Sequence, residues 1–234
     1  MELKYKRILL KMSGEVLGDS NAAVSEENAK QAAKRIKLLK DAGAEVAVVV
    51  GGGNIMRGRS SHCIDRNRAD HMGMLATAIN SLAIQDALLG MGVDCTVLSA
   101  VEMQRFCDTY SSRQAKAELD GGRVVLFACG TGSPFFSTDT AAALRALEIH
   151  ADALVLAKSV DAVYSDDPEK NPNAERYSYI SYNDVIAKNL KATDITTITL
   201  CRDYKMPILL FSMEKEESYV KALMGENAGT IIGE

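Results

Sequence analysis

A mostly parallel β-sheet covered by helices is the fold class this sequence predicts, and two observations predict it. Apolar runs of strand length alternate with amphipathic helical stretches from one end of the chain to the other. Val and Ile dominate several of those runs, as in strands buried on both faces. The 234 residues suffice for one substantial core, and no repeat or low-complexity linker divides them. One domain with two lobes over residues 1–234 is therefore expected.

Taken in order, the strands are predicted at 7–10, 45–50, 95–98, 123–129, 153–157 and 208–211. Between the first two, Ala29, Ala32, Ala33, Ile36 and Leu39 repeat at helical spacing. Ser25 is placed to cap that helix, Glu26 and Glu27 favour its first turn, and Gly43 lies past its end. Met72, Leu75, Ala76, Ile79, Leu82 and Ala83 mark a second helix ending near Gly90 and Gly92. Its other face carries Asp70, Gly73, Thr77 and Ser81, small and polar enough either to admit a ligand or to pack closely on a neighbour. A further helix over 140–147 opens just after Asp139. Pro168 and Pro172 bracket a polar stretch over 165–176.

Composition removes several function classes. Apolar residues make up 47% and charged residues 25%, as in folded globular chains rather than disordered ones. The formal charge of -4, from 27 basic and 31 acidic residues, argues against a dedicated nucleic-acid or anionic-membrane surface. The 5 cysteines are widely spaced, without a Cys-x-x-Cys pair or zinc spacing, and read as reduced thiols of a cytoplasmic protein. No secretory leader is expected, and no uninterrupted apolar run reaches the ~18 residues of a bilayer span.

In open parallel sheets ligands bind beyond the carboxyl ends of the strands. The first strand runs into Lys11-Met12-Ser13-Gly14, the second into Gly51-Gly52-Gly53-Asn54, and the fourth into Gly130-Thr131-Gly132-Ser133-Pro134-Phe135-Phe136-Ser137-Thr138-Asp139. Each is by itself an ordinary tight turn or an anion cradle of exposed backbone N–H groups. Together on one sheet edge they point to phosphate binding. Two better-known signatures fail. In the stretch from Gly53 to Ser60, Arg59 stands where a P-loop needs lysine, and no helical apolar stripe follows; the triple glycine lacks the third glycine of the dinucleotide fingerprint.

Lys11, at the end of an apolar strand, is the residue best placed to neutralise a migrating phosphoryl group, with Arg57 behind the triple glycine. Phosphoryl transfer needs mainly positioning and charge neutralisation, so the absence of a nucleophilic triad is no obstacle. Asp139 either stabilises a helix N-terminus or organises the phosphoryl site and its magnesium. Tyr164, among acids and hydroxyls, either lies in a solvated turn or flanks a nucleobase or ribose. His62, His71 and His150 are isolated and read as structural or solvated.

These segments, with Ala69-Asp-His-Met-Gly-Met-Leu-Ala-Thr77, Val160-Asp-Ala-Val-Tyr-Ser-Asp-Asp-Pro168 and the terminal Met224-Gly-Glu to Gly-Thr-Ile-Ile232, resemble the motifs of bacterial UMP kinases of the amino acid kinase superfamily. The resemblance covers essentially the whole chain. It implies a three-layer α/β/α sandwich, an acceptor-binding N-terminal lobe and an ATP-binding C-terminal lobe. It further implies transfer of the γ-phosphoryl of ATP to UMP with Mg²⁺, a homohexamer, and UTP as a feedback inhibitor. Carried over by position, Lys11, Met12, Ser13, Gly14, Gly53 and Arg57 would hold ATP phosphates, and Tyr164 with Asp167 the adenosine end. Gly52, Asp70, Thr131, Gly132, Ser133, Pro134, Phe135, Phe136, Ser137 and Thr138 would hold UMP, with Asp70 at the ribose hydroxyls. Lys11, Arg57 and Asp139 would form the catalytic set. Either Lys158 or Ser159 meets the nucleotide. Asn21-Ala-Ala-Val-Ser25 departs from the glycine-containing segment of relatives that bind GTP nearby, which argues against activation by GTP. Rival readings are a carboxylate or carbamate kinase on the same scaffold and a non-catalytic uridine-nucleotide sensor or storage protein.

Overall fold

The predicted apolar runs form the strands at the centre of a nine-stranded sheet. A computed structural model describes residues 3–56, 64–168, 170–226 and 228–234. In chain order the elements are β1 (Arg7–Met12), a 3₁₀ turn (Gly14–Leu17), α1 (Glu26–Asp41), β2 (Glu45–Val50), α2 (Arg66–Gly90), β3 (Cys95–Ser99), β4 (Asp108–Thr109), α3 (Ser112–Asp120), β5 (Val124–Ala128) and α4 (Thr138–Glu148). They continue with β6 (Ala153–Lys158), β7 (Val163–Tyr164), β8 (Arg176–Tyr177), β9 (Tyr179–Ser181), α5 (Tyr182–Ala187), α6 (Ile195–Asp203), β10 (Ile208–Ser212), α7 (Glu216–Leu223) and β11 (Thr230–Gly233).

The sheet order is β4-β3-β5-β2-β1-β6-β10-β11-β9, parallel throughout except where β11 runs against β10. β1 pairs with β2 on one side and with β6 on the other, so the chain changes direction of travel across the sheet at β1. Such a switch point opens a crevice at the carboxyl ends of the flanking strands. A two-stranded ribbon, β7 with β8, lies apart.

Alternation along the strands divides the core in two. Ile8, Leu10 and Met12 share one cluster with Ile36 of α1, Ile84 of α2 and Tyr219 of α7. Leu9 shares the other with Ala142 of α4, Ile198 of α6 and Leu119 of α3. Helices therefore cover both faces, as the sandwich expectation requires.

α2 departs from its sequence reading in two ways. An 18-residue window of its 25 residues has mean hydropathy 1.3, so by length and composition α2 is apolar enough for a bilayer span even though polar residues interrupt it. Its packing on α1, β3 and β5 makes it a helix of the sandwich layer instead. The stripe that marks it is only in part its buried face: Met72, Leu75 and Ile79 are exposed, Ala76 is buried and Leu82 and Ala83 pack partly buried on the core, while Thr77 and Ser81 of the polar face are buried too.

Candidate active site

Lys11 projects from the same face of β1 as Leu9, because side chains alternate along a strand. That face looks toward α4, whose first turn carries Asp139. The Lys11 Nζ lies 2.7 Å from Asp139 Oδ1, with both side chains 13% exposed, so the ion pair is largely removed from water. Asp139 Oδ2 accepts from Lys158 Nζ at 3.3 Å, at the end of β6, and from the Thr193 hydroxyl at 2.6 Å. Lys158 also donates to the Ala192 carbonyl at 2.6 Å. Burial alone would raise the pKa of Asp139, but the two ammonium groups and the Thr193 hydroxyl outweigh it and hold the carboxyl well below the usual carboxylate range. Oδ1 keeps its ion pair yet has no aligned hydrogen-bond donor among the described residues.

α4 starts here because Ser137 caps it, its Oγ accepting the Thr140 N–H at 3.1 Å. A capped helix N-terminus beside two lysines is a site for anionic oxygen.

The glycine loop faces this N-terminus for steric reasons. A Cβ on Gly14 would lie 2.3 Å from the Gly51 carbonyl, and one on Gly52 would lie 2.7 Å from the Gly73 carbonyl and 2.9 Å from Ala76 Cβ. These two glycines let β1, the loop and α2 approach each other. Gly73 differs, since a Cβ there would meet nothing within 4 Å. The polar face therefore does both things the sequence allowed: it leaves open space at the Gly73 Cα and packs closely at Thr77 and Ser81. The fully buried Asn80 holds the loop from below, donating to the Gly51 carbonyl at 2.7 Å and pairing with the Asn54 amide at 2.8 and 3.0 Å.

Three clefts follow one another along this rim. The first, ≈ 340 Å³, is bounded by Gly52, Gly53, Asp70, Gly73 and Thr77 on one side and by Gly130, Thr131, Ser133 and the run from Phe136 to Asp139 on the other. The second, ≈ 350 Å³, shares Asp139 and Asp194 with the first and adds Lys158, Lys191 and Thr193. The third, ≈ 470 Å³, shares the run from Asn189 to Lys191 with the second and adds Tyr164, Asp167 and Lys170. Neighbouring clefts thus share walls, and Asp139, common to the first two, pairs with Lys158 of the second and with Lys11, which lines none of the three.

A sequence model of the amino acid kinase family matches residues 6–212. The chain belongs to that family. Among solved structures, it is similar to UMP kinase from Bacillus anthracis at 35% identity, covering 98% of this chain and 96% of that one with a TM-score of 0.94. It is also 35% identical to UMP kinase from Ureaplasma parvum, covering 99% and 100% with a TM-score of 0.93. For uridylate kinase from Archaeoglobus fulgidus the identity is 26%, the coverage 97% and 99%, and the TM-score 0.75.

In this amino acid kinase most sequence-derived candidates reach these clefts. Gly52, Asp70, Thr131, Ser133, Phe136, Ser137 and Thr138 line the first cleft, as does Gly53, which the sequence reading had assigned to ATP. Tyr164 and Asp167 line the third. Gly132, Pro134 and Phe135 do not line the first cleft, although the Phe135 N–H donates to Asp70 Oδ2 at 2.8 Å. Ser13 caps the 3₁₀ turn. Met12, 1% exposed, turns its side chain into the core, so only its backbone faces the rim. Arg57 lies outside the described residues. Lys158 lines the second cleft and Ser159 does not.

Residues the sequence reading did not single out complete the site. Arg66 grips Asp70 through Nε at 2.9 and 3.0 Å. Thr193 and Asp194 border the second cleft. Asn80 left a legible signal, an amide inside an apolar helix that must be satisfied by something.

Proposed function

We propose that this amino acid kinase transfers the γ-phosphoryl group of ATP to UMP, giving UDP and ADP for pyrimidine nucleotide synthesis. The observation that carries the reading is a pair of clefts that share Asp139 and Asp194, with two ammonium groups held on Asp139 between them. Two polyanions laid end to end in these clefts would bring their phosphates together there. The 35% identity to chains called UMP kinases supports the same acceptor.

UMP would occupy the first cleft, in the N-terminal lobe, with its ribose toward Asp70 and its phosphate at the N-terminus of α4. ATP would lie along the second and third, in the C-terminal lobe, with its adenosine end near Tyr164 and Asp167. An oxygen of the UMP phosphate, already anionic near neutral pH, attacks the γ-phosphorus. The bond to the β–γ bridging oxygen breaks and its electrons leave with ADP. Lys11 neutralises charge on the migrating group, and Asp139 fixes where the Lys11 and Lys158 ammonium groups stand. Arg57 retains its sequence-based assignment to the same role as Lys11.

Mg²⁺ fits this donor set as an ion carried mainly by the nucleotide. Among the described residues no cluster of three His, Cys, Asp or Glu could hold a metal, and Mg²⁺ commonly takes one or two carboxylates with phosphate oxygens and water. Asp194 and Asp139, the latter already paired with Lys11 and Lys158, are the carboxylate groups that the first two clefts share. When bound, the ion neutralises phosphate charge. A cytoplasmic location, a homohexamer and feedback inhibition by UTP belong to the same reading.

ADP release measured with UMP, CMP, dUMP and AMP tests it. UMP is expected to be preferred, and dUMP to be poor because Asp70 would lose the 2′-hydroxyl. Lys11→Ala is expected to lower kcat by about two to three orders of magnitude with an unchanged circular dichroism spectrum. Tight UMP binding without ADP under any divalent metal would replace the enzyme by a sensor. Preference for a carboxylate or carbamate acceptor would replace UMP.

A further inference from the structure

The loop that closes the first cleft leaves β5 through an unusual kink. Cys129 has φ 61° and Gly130 φ 57°, two consecutive residues in the left-handed region. Glycine accepts that conformation freely, whereas Cys129 has a Cβ and is fully buried. Something must hold it there.

Two polar contacts from different helices do so. From α2, Thr77 Oγ1 accepts the Cys129 N–H at 2.8 Å, and its own proton is committed to the Met74 carbonyl at 2.7 Å, which turns a lone pair toward Cys129. From α4, Arg145 Nη2 donates to the Gly130 carbonyl at 3.2 Å. Arg145 is 5% exposed, and its guanidinium is fixed before it reaches the loop. Nη1 donates to Glu148 at 2.6 Å, and the Tyr110 ring stacks 3.9 Å from the guanidinium carbon while its hydroxyl donates to the same carboxylate at 2.5 Å. Arg145 does not line the clefts. Glu148 and Tyr110 satisfy and fix the buried guanidinium, which leaves its second arm aimed at the Gly130 carbonyl.

We infer that Arg145 and Thr77 are positioning residues that set the course of the 130–138 loop, and through it the affinity for the phosphoryl acceptor but not for ATP. This rests on the acceptor occupying the first cleft. Because the loop supplies one wall of that cleft, a displacement of about 1 Å is enough to lower turnover or affinity strongly.

The test pairs a substrate-free measurement with kinetics. In Arg145→Met, hydrogen exchange of the 131–138 amides is expected to quicken about tenfold while the β1 and β6 amides stay unchanged. The KM for UMP is expected to rise at least about tenfold, with the KM for ATP within about twofold. Thr77→Val is expected to do the same and Thr77→Ser, which keeps the acceptor oxygen, to restore both readouts. Should Arg145→Met not fold, loop exchange in the Thr77 pair decides, because Thr77 also borders the first cleft and its KM alone does not distinguish contact from positioning. In the double variant the effects on KM should fall short of the product of the single ones, since both anchors serve one kink. Unchanged loop exchange, or equal rises in both KM values, would overturn the inference. If the parent chain phosphorylates no UMP, the proposed function fails, and the exchange data alone still decide whether the two anchors hold the loop.

Discussion

At Asp139 the stability of the fold and the proposed chemistry rest on one carboxylate. Asp139→Asn leaves the Lys11 and Lys158 ammonium groups facing the same small volume without a counter-charge. Removing one partner of a buried ion pair typically costs about 3 kcal/mol, and that loss is expected in urea unfolding at pH 7. The pH dependence follows from the depressed pKa. A carboxyl whose folded pKa lies below its unfolded value of about 4 stabilises fully above that value and loses its contribution as pH falls through the folded one. The difference in unfolding free energy between parent and Asp139→Asn should therefore hold level from pH 7 to about 5 and shrink only below about 4. A difference that already shrinks between pH 7 and 5 would mean the carboxylate is not held by these ammonium groups. Turnover at pH 7 should fall by about two orders of magnitude in the same variant, because the lysines lose their fixed positions.

The glycines on the loop and on α2 separate packing from ligand space at the level of whole elements. Gly52→Ala forces a methyl to 2.7 Å from the Gly73 carbonyl and should destabilise by about 1–3 kcal/mol. Gly73→Ala meets nothing within 4 Å and sits in a helix, where alanine is favoured by roughly 0.5–1 kcal/mol, so its melting temperature should rise. Its methyl nevertheless enters the first cleft, and the KM for UMP should rise with it. An unchanged KM in Gly73→Ala would place the acceptor elsewhere. The same elements show what the sequence could and could not reveal. The central strands are legible because Val, Ile and Leu runs such as Glu45–Val50 are buried on both sides. The short strands β4, β7, β8 and β9 are not, since two or three mixed residues carry no period. The candidate loops are legible from glycine and hydroxyl clusters at strand ends. The contacts that aim them, Thr193 on Asp139 and Arg145 on Gly130, join residues far apart in the chain, and local pattern does not encode them.

Part of the apolar stripe of α2 faces outward and gives the whole molecule an exposed apolar face. Met72, Leu75 and Ile79 are 44%, 56% and 50% exposed and recur at helical spacing, opposite Gly73 and Thr77 on the same helix. If the proposed hexamer forms, this stripe is an apolar face on which a second copy would sit. Leu75→Glu exchanges an exposed side chain and should leave the unfolding free energy of the isolated chain within about 0.5 kcal/mol. In sedimentation velocity the parent should run as an assembly and Leu75→Glu as a smaller species, because a charge desolvated in the interface has no partner. Dissociation on dilution of the parent should then lower its melting temperature, while that of the variant stays independent of concentration. If both sediment alike as the assembly, the stripe does not hold the copies together.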